Sequence, residues 1–154
     1  MVRILPEAAA VLKNLETAGY EAYLVGGCVR DLLRGETPAD WDIATSALPE
    51  QTMALFRGNA LPTGLQHGTV TVRCGGLSFE VTTYRLDGTY ADCRHPDSVT
   101  FTPSLFEDLQ RRDFTVNAMA MSRAGVLQDP FGGREDLHSG VLRCVGAPRQ
   151  RFSE

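Results

Sequence analysis

The sequence predicts one small α/β (α+β) domain, a mixed sheet flanked by helices. Three observations carry this expectation. Strand and helix patterns alternate through the first third of the chain, and two alternating apolar runs meet at a Gly75–Gly76 turn near its middle. A content of 43% hydrophobic and 22% charged residues over 154 positions suits a single ordinary core. No internal repeat, low-complexity tract or linker divides the chain.

Residues 6–19 (PEAAAVLKNLETAG) open with Pro6, which a first helical turn tolerates, and close at Gly19, so they predict a helix. EAYLV (21–25) is a short strand, and GGCVRDLLRG (26–35) a tight turn feeding a helix that Gly35 ends. After the breaker GETPA, DWDIATS (40–46) has strand character, and LPEQTMALFRGN (48–59), with Pro49 in its first turn, is helical. TVTVRC (69–74) and LSFEVTTYR (77–85) form a hairpin. LDGTYADCRHPDSVT (86–100) is rich in turn formers and reads as a mobile loop. SLFEDLQRRDFTVNAMAMS (104–122) reads as helix, GVLQDPFGG (125–133) as a short strand and turn, REDLHSG (134–140) as a last helical turn or two, and VLRCVG (141–146) as a strand or extended tail.

The net charge of −4 argues against a surface that coats nucleic acid nonspecifically. Lys13 is the one lysine among 15 cationic residues, so nearly all positive charge sits on guanidinium groups, whose planar fork suits phosphate. Cys28, Cys74, Cys93 and Cys144 are scattered, with no C-x-x-C pair and no His close enough to complete a zinc set, and read as buried or incidental thiols. His67, His95 and His138 fall in no nucleophile–base pattern and read as structural. No apolar run approaches the roughly 20 residues that cross a bilayer, and the opening MVRILPEAAAVLKNLE interrupts any signal-peptide pattern with a proline and acids. A cytoplasmic protein with no membrane partner is expected.

In a strand, residues i and i+2 share a face, so Asp40 and Asp42 project together while Trp41 turns to the packed side. Two carboxylates held together repel unless a cation sits between them, and hard oxygen ligands suit Mg²⁺. D-x-D alone is also the pattern of a solvated strand end. In LSFEVTTY, Phe79 and Val81 face one way and Glu80 the other; an acid in a central strand is costly unless paired or metal-bound, or it forms a salt bridge at the rim. Gly26-Gly27 follows a strand and opens a helix, where bare N–H groups can hold an anion, with Arg30 near enough to add a cation and Asp31 able to pair with an arginine. A lone glycine pair in this position is more often just a tight turn. Arg111-Arg112-Asp113, with Asn117 one helical turn after Asp113, suits a triphosphate and a sugar, or is simply a solvated helix start.

In order, LVGGCVRDLLRG, ADWDIATS, HGTVTV, FEVTTYR, DGTYADCRHPDSVTF, DLQRRDFTVNAMAM and DPFGGREDL resemble the catalytic head of the class II tRNA nucleotidyltransferase and bacterial poly(A) polymerase family, from about residue 20 to the C-terminus. The resemblance implies a polymerase-β-like nucleotidyltransferase fold and template-independent transfer of AMP or CMP from ATP or CTP to an RNA 3′ end, with tRNA as partner and Mg²⁺ as cofactor. Asp40 and Asp42 match the family's metal-binding aspartates and Glu80 its third carboxylate. Gly26, Gly27 and Arg30 correspond to the triphosphate contacts, and Arg112, Asp113 and Asn117 to the nucleotide motif. The segment 87–96 matches a loop linked in the family to the switch between adding C and adding A. The resemblance also implies a head over residues 1–140 and the start of a neck over 141–154, with Glu154 as the first residue of an E-D-x-x-R motif whose remainder, with the RNA-binding body, would lie on a missing or separate fragment. CCA addition, partial CC or A addition and poly(A) synthesis all share this head. A silent nucleotide-binding or partner-binding remnant is the reading from a different class.

Overall fold

The computed structural model describes residues 3–87 and 99–146. The first helix, α1 (Pro6–Thr17), buries Ala8, Val11, Leu12 and Leu15, the i, i+3, i+4, i+7 stripe of an amphipathic helix, and the chain turns at Gly19 with φ 98°. Strand β1 (Ala22–Val25) runs into α2 (Gly27–Leu33), which buries Cys28, Val29 and Leu32. Strand β2 (Trp41–Thr45) leads to α3 (Pro49–Leu55), where Gln51 Oε1 accepts a hydrogen bond from the Leu48 N–H at 2.8 Å and satisfies a donor at the helix start.

Next come β3 (Ala60–Gly64), a 3-10 turn (Leu65–His67), and the hairpin of β4 (Thr69–Cys74) and β5 (Leu77–Thr83), with positive φ at both Gly75 and Gly76. A separate two-stranded ribbon pairs β6 (Arg85–Asp87) with β7 (Val99–Phe101). The chain closes with α4 (Leu105–Gln110), a 3-10 turn (Thr115–Asn117), β8 (Ala120–Met121), β9 (Leu127–Gln128) and α5 (Gly133–Ser139). Among the described residues no helix is long and apolar enough to cross a membrane.

The main sheet has seven strands in the order β3-β4-β5-β2-β1-β8-β9, and it is mixed as expected: β2 and β5 pair in parallel while the other neighbours are antiparallel. The parallel pair requires a crossover, which α3, β3 and β4 supply. One face carries Leu24, Trp41, Ile43, Val70, Val72, Phe79 and Val81 into a core closed by α1 and α2. The opposite face carries Val25, Ala44 and Ala120 into a smaller core with Tyr84, Leu109, Ala118 and Val145.

Four element expectations change. The stretch 104–122 is not one helix. Phe114 is extended (φ −121°, ψ 146°) and bridges Cys144, the β-branched Thr115 and Val116 sit in a 3-10 turn, and Ala120–Met121 pair with β1. Ala60–Gly64, unassigned in the sequence, is an edge strand with a register shift between Leu61 and Gly64; Pro62 is tolerated there because an edge strand has N–H groups without ladder partners. The expected loop 86–100 is bounded by the β6–β7 ribbon, and its centre, 88–98, lies outside the described residues, as do Cys93 and His95. VLRCVG is not a regular strand; it lies against the domain, with the Val145 N–H donating to the Asp113 carbonyl at 2.9 Å and the Val145 side chain buried. Residues 147–154, including Glu154, are outside the described residues.

Candidate active site

Sheet register does the first part of the assembly. Asp42 is opposite Val25 on β1 and, on its other side, opposite Glu80 on β5, and Glu80 in turn faces Thr71 on β4. Paired residues share a face, so Asp42 and Glu80 project together from the side opposite Trp41 and Phe79. Asp40 stands exposed just before β2.

Asp42 is half-buried, and burial raises its proton affinity above the usual carboxylate range; Arg112 opposes the shift, while the charges of Glu80 and Asp40 reinforce it. Negative charge is therefore concentrated where a cation would relieve it. Glu80, expected to be costly in a central strand, is instead exposed, and its Oε1 accepts a hydrogen bond from Thr71 Oγ1 at 2.9 Å. Thr71 is linked in turn to Thr63 at 2.7 Å. Among the described residues no group of three His, Cys, Asp or Glu side chains is arranged to hold a metal ion alone.

The glycine turn does the second part. Gly26 is buried with φ 74° and ψ −144°, a conformation that glycine adopts without a Cβ penalty. A Cβ placed on it would lie 3.7 Å from both an Arg112 Nη1 and an Asp42 Oδ2, so cation, carboxylate and turn meet at one point. A Cβ on Gly27 would lie 3.3 Å from Arg30 Nη2. Arg30 Nη1 donates to Asn117 Oδ1 at 3.2 Å, and its Nε pairs with Asp31 at 3.7 Å, the arginine partnership expected for Asp31.

Asn117 thus reaches the site from the 3-10 turn and not from one helical turn beyond Asp113. The Asp113 side chain is exposed, and its carbonyl is taken by Val145. Gly26, Gly27, Arg30, Asp42, Arg112 and Asn117 are consequently linked by contacts, Glu80 is joined to Asp42 by register, and Asp40 by charge. Asp113 is joined to them only through the backbone.

Sequence reasoning missed Asp108. It is 1% exposed, accepts from Arg112 Nη2 at 3.2 Å and Arg111 Nε at 3.4 Å, and takes the Arg85 backbone N–H at 3.0 Å. The i, i+3 and i, i+4 spacing to the two arginines was its visible signal. Cys28 was also missed as a contact of the site: its buried thiol donates to the Val25 carbonyl at 3.2 Å, and burial pushes its pKa up to about 11. His67 contributes its backbone carbonyl to Arg85 Nη1 at 2.8 Å. A surface pocket of about 330 Å³, lined by Leu105, Phe106, Leu109, Gln128, Asp129 and Pro130, shares no residue with the site.

The chain is similar over nearly its whole length to known proteins. The CCA-adding enzyme of Leuconostoc mesenteroides is 53% identical over 148 residues, covering 96% of this chain and 37% of that protein. The crystal structure of the Bacillus stearothermophilus CCA-adding enzyme in complex with CTP superposes with a TM-score of 0.87 at 48% identity, over 97% of this chain and 36% of the other. A Thermotoga maritima CCA-adding enzyme complexed with tRNA gives a TM-score of 0.69 at 29% identity, over 94% and 34% of the two chains. The chain therefore spans little more than a third of the length of these relatives. Residues 22–143, from the first strand through the last helix and the turn that brings Cys144 onto Phe114, match the poly A polymerase head domain, and the chain belongs to that family.

Proposed function

We propose that this chain is the catalytic head of a template-independent RNA 3′-end nucleotidyltransferase that adds C and A to tRNA from CTP and ATP in the cytoplasm. The convergence of Gly26, Asp42 and Arg112 at one point carries the reading: a glycine turn that leaves room for an anion, a cation beside it, and a carboxylate at the same distance. In this reading Gly26, Gly27, Arg30 and Arg112 hold the triphosphate, Asn117 orients Arg30, and Asp113 faces the nucleotide. The Gly27 backbone N–H and the guanidinium charges of Arg30 and Arg112 meet the negative charge that grows on the β and γ phosphates as pyrophosphate leaves. The RNA 3′-oxygen attacks the α-phosphorus in line, the new P–O bond forms, and the bond to the bridging α–β oxygen breaks.

The residues fit a divalent ion, and Mg²⁺ in particular. Mg²⁺ is commonly bound by one or two carboxylates together with substrate phosphates, and Asp40 and Asp42 supply that set without a third protein ligand. A bound ion supplies Lewis acidity, lowering the proton affinity of the attacking hydroxyl and neutralising phosphate charge. Glu80, held by Thr71, lies beside this pair and adds negative charge. The division into a head over 1–140 and the start of a neck from 141 keeps its basis in the sequence, with the buried Val145 as the point where the following segment grips the head. Base choice and most RNA contact then belong to the neck and body.

The test is incorporation of labelled CMP and AMP into tRNA lacking its terminal CCA, by this chain alone and mixed with the neck-and-body fragment of a relative. Incorporation in the mixture is expected, and Asp42→Ala, with its circular dichroism unchanged, should abolish it. Undiminished transfer by that variant would sink the metal assignment. A long homopolymer made from ATP alone would replace the tRNA reading with poly(A) synthesis, and no transfer in any mixture would favour a silent nucleotide-binding remnant.

A further inference from the structure

An arginine that binds phosphate must be held where the phosphate arrives and kept from collapsing onto the nearest carboxylate. Arg112 faces this problem directly, because its Nη1 and Asp42 Oδ2 both lie 3.7 Å from the point where a Gly26 Cβ would stand. Its Nε is buried with no hydrogen-bond partner among the described residues, so the orientation of the guanidinium is not set from that atom. Asp108 sets it. One carboxylate oxygen takes Arg112 Nη2 at 3.2 Å, and the other is fixed by the Arg85 backbone N–H at 3.0 Å and by Arg111 Nε at 3.4 Å.

We propose that Asp108 is a positioning residue, which holds the Arg112 guanidinium against the Gly26 turn and keeps it from closing an ion pair with Asp42. A carboxylate 1% exposed is expensive to bury, and three donors from two elements compensate the loss of water. The bond to the Arg85 N–H matters because a main-chain donor does not change rotamer. It pins the carboxylate to the start of β6, so Arg112 is referenced to the backbone of another element and not only to the helix that precedes it. A charge-assisted bond in a site shielded from water also resists exchange with solvent better than a surface pair does.

The inference rests on the reading of Arg112 as a triphosphate-binding group, and the experiment separates the two. MgATP affinity is measured by calorimetry on the whole chain for wild type, Asp108→Asn, Arg112→Met and the double variant, with folding followed by circular dichroism. Asp108→Asn keeps the acceptor for Arg85 and turns an amide toward Arg112, so a roughly tenfold loss of affinity is expected. Arg112→Met should lose at least as much, and the double variant should bind no worse than Arg112→Met, a coupling that a merely structural role would not show. Wild-type affinity in folded Asp108→Asn, or additive losses in the double variant, overturns the proposal. If Asp108→Asn does not fold, Asp108→Glu, which moves the carboxylate without removing it, takes its place in the same cycle: losses that do not add to that of Arg112→Met support the proposal and additive losses overturn it. A wild-type chain that binds no MgATP removes the nucleotide reading alone. Hydrogen exchange at the Arg112 Nε–H, read by NMR, then decides the positioning: acceleration by tenfold or more in Asp108→Asn supports it, and unchanged exchange overturns it.

Discussion

Gly133 has almost no freedom to become anything else. A Cβ there would stand 2.1 Å from the Thr115 carbonyl oxygen and 2.7 Å from its carbon, both backbone atoms, so α5 approaches the 3-10 turn that carries Asn117 only because no side chain intervenes. Gly133→Ala should cost about 3 kcal/mol, seen as a lower urea midpoint at unchanged slope, because overpacking forces backbone to move. A change under about 0.5 kcal/mol would mean that the approach is looser than the contact implies. Cys28 is the second single-residue case. Burial lifts its pKa from the usual 9.0 to about 11, so the folded state holds this proton more tightly than the unfolded chain does. Its contribution to stability is full below about pH 9 and disappears as the pH rises through about 11. At pH 8, alkylation mapped by mass spectrometry should mark the half-buried Cys74 and Cys144 well before Cys28. Simultaneous labelling would contradict the burial argument.

Among the elements, α4 carries the most consequence for its length. Ser104 accepts the Glu107 N–H at 3.2 Å and fixes the start of the helix, while Asp108 and the pair Arg111–Arg112 lie at its other end. Ser104→Ala should cost about 1 kcal/mol by loss of the cap, measured by urea unfolding. The same substitution should weaken MgATP binding only slightly if Asp108 holds Arg112 independently; a large loss would assign the positioning to the cap. This stretch also shows where sequence reading fails. LFEDLQ has helix-forming residues and an N-cap, and apolar residues continue through RRDFTVNAMAM, so the sequence predicts helix throughout. What ends the helix is a competing partner: Phe114 bridges Cys144, and Ala120–Met121 are recruited by β1. The edge strand Ala60–Gly64 was illegible for a related reason, since a proline and a glycine in five residues contradict strand propensity, and only the neighbouring β4 makes the pairing pay.

At the scale of the molecule, both cores are built on one seven-stranded sheet, so neither face can lose its packing without exposing the other. Unfolding should therefore be a single transition, with the fluorescence of Trp41, buried on one face, coincident with far-UV circular dichroism in urea. Separate midpoints would show that the smaller core around Leu109 and Tyr84 unfolds alone. The α1 helix between Pro6 and Gly19, the glycine turn before α2, the strand that carries Asp42 and the hairpin at Gly75–Gly76 were all legible in the chain, because each is a local pattern with its own period or turn chemistry. The order of these motifs was enough for the family resemblance, since order is a linear property. The meeting of Asp42, Glu80, Arg112 and Gly26 was not linear. It depends on a parallel register between β2 and β5, on an antiparallel one between β1 and β2, and on a buried Asp108 that turns Arg112 toward them. Such pairings join residues far apart in the chain, and their energies come from burial and from hydrogen bonds that exist only once the whole sheet has closed.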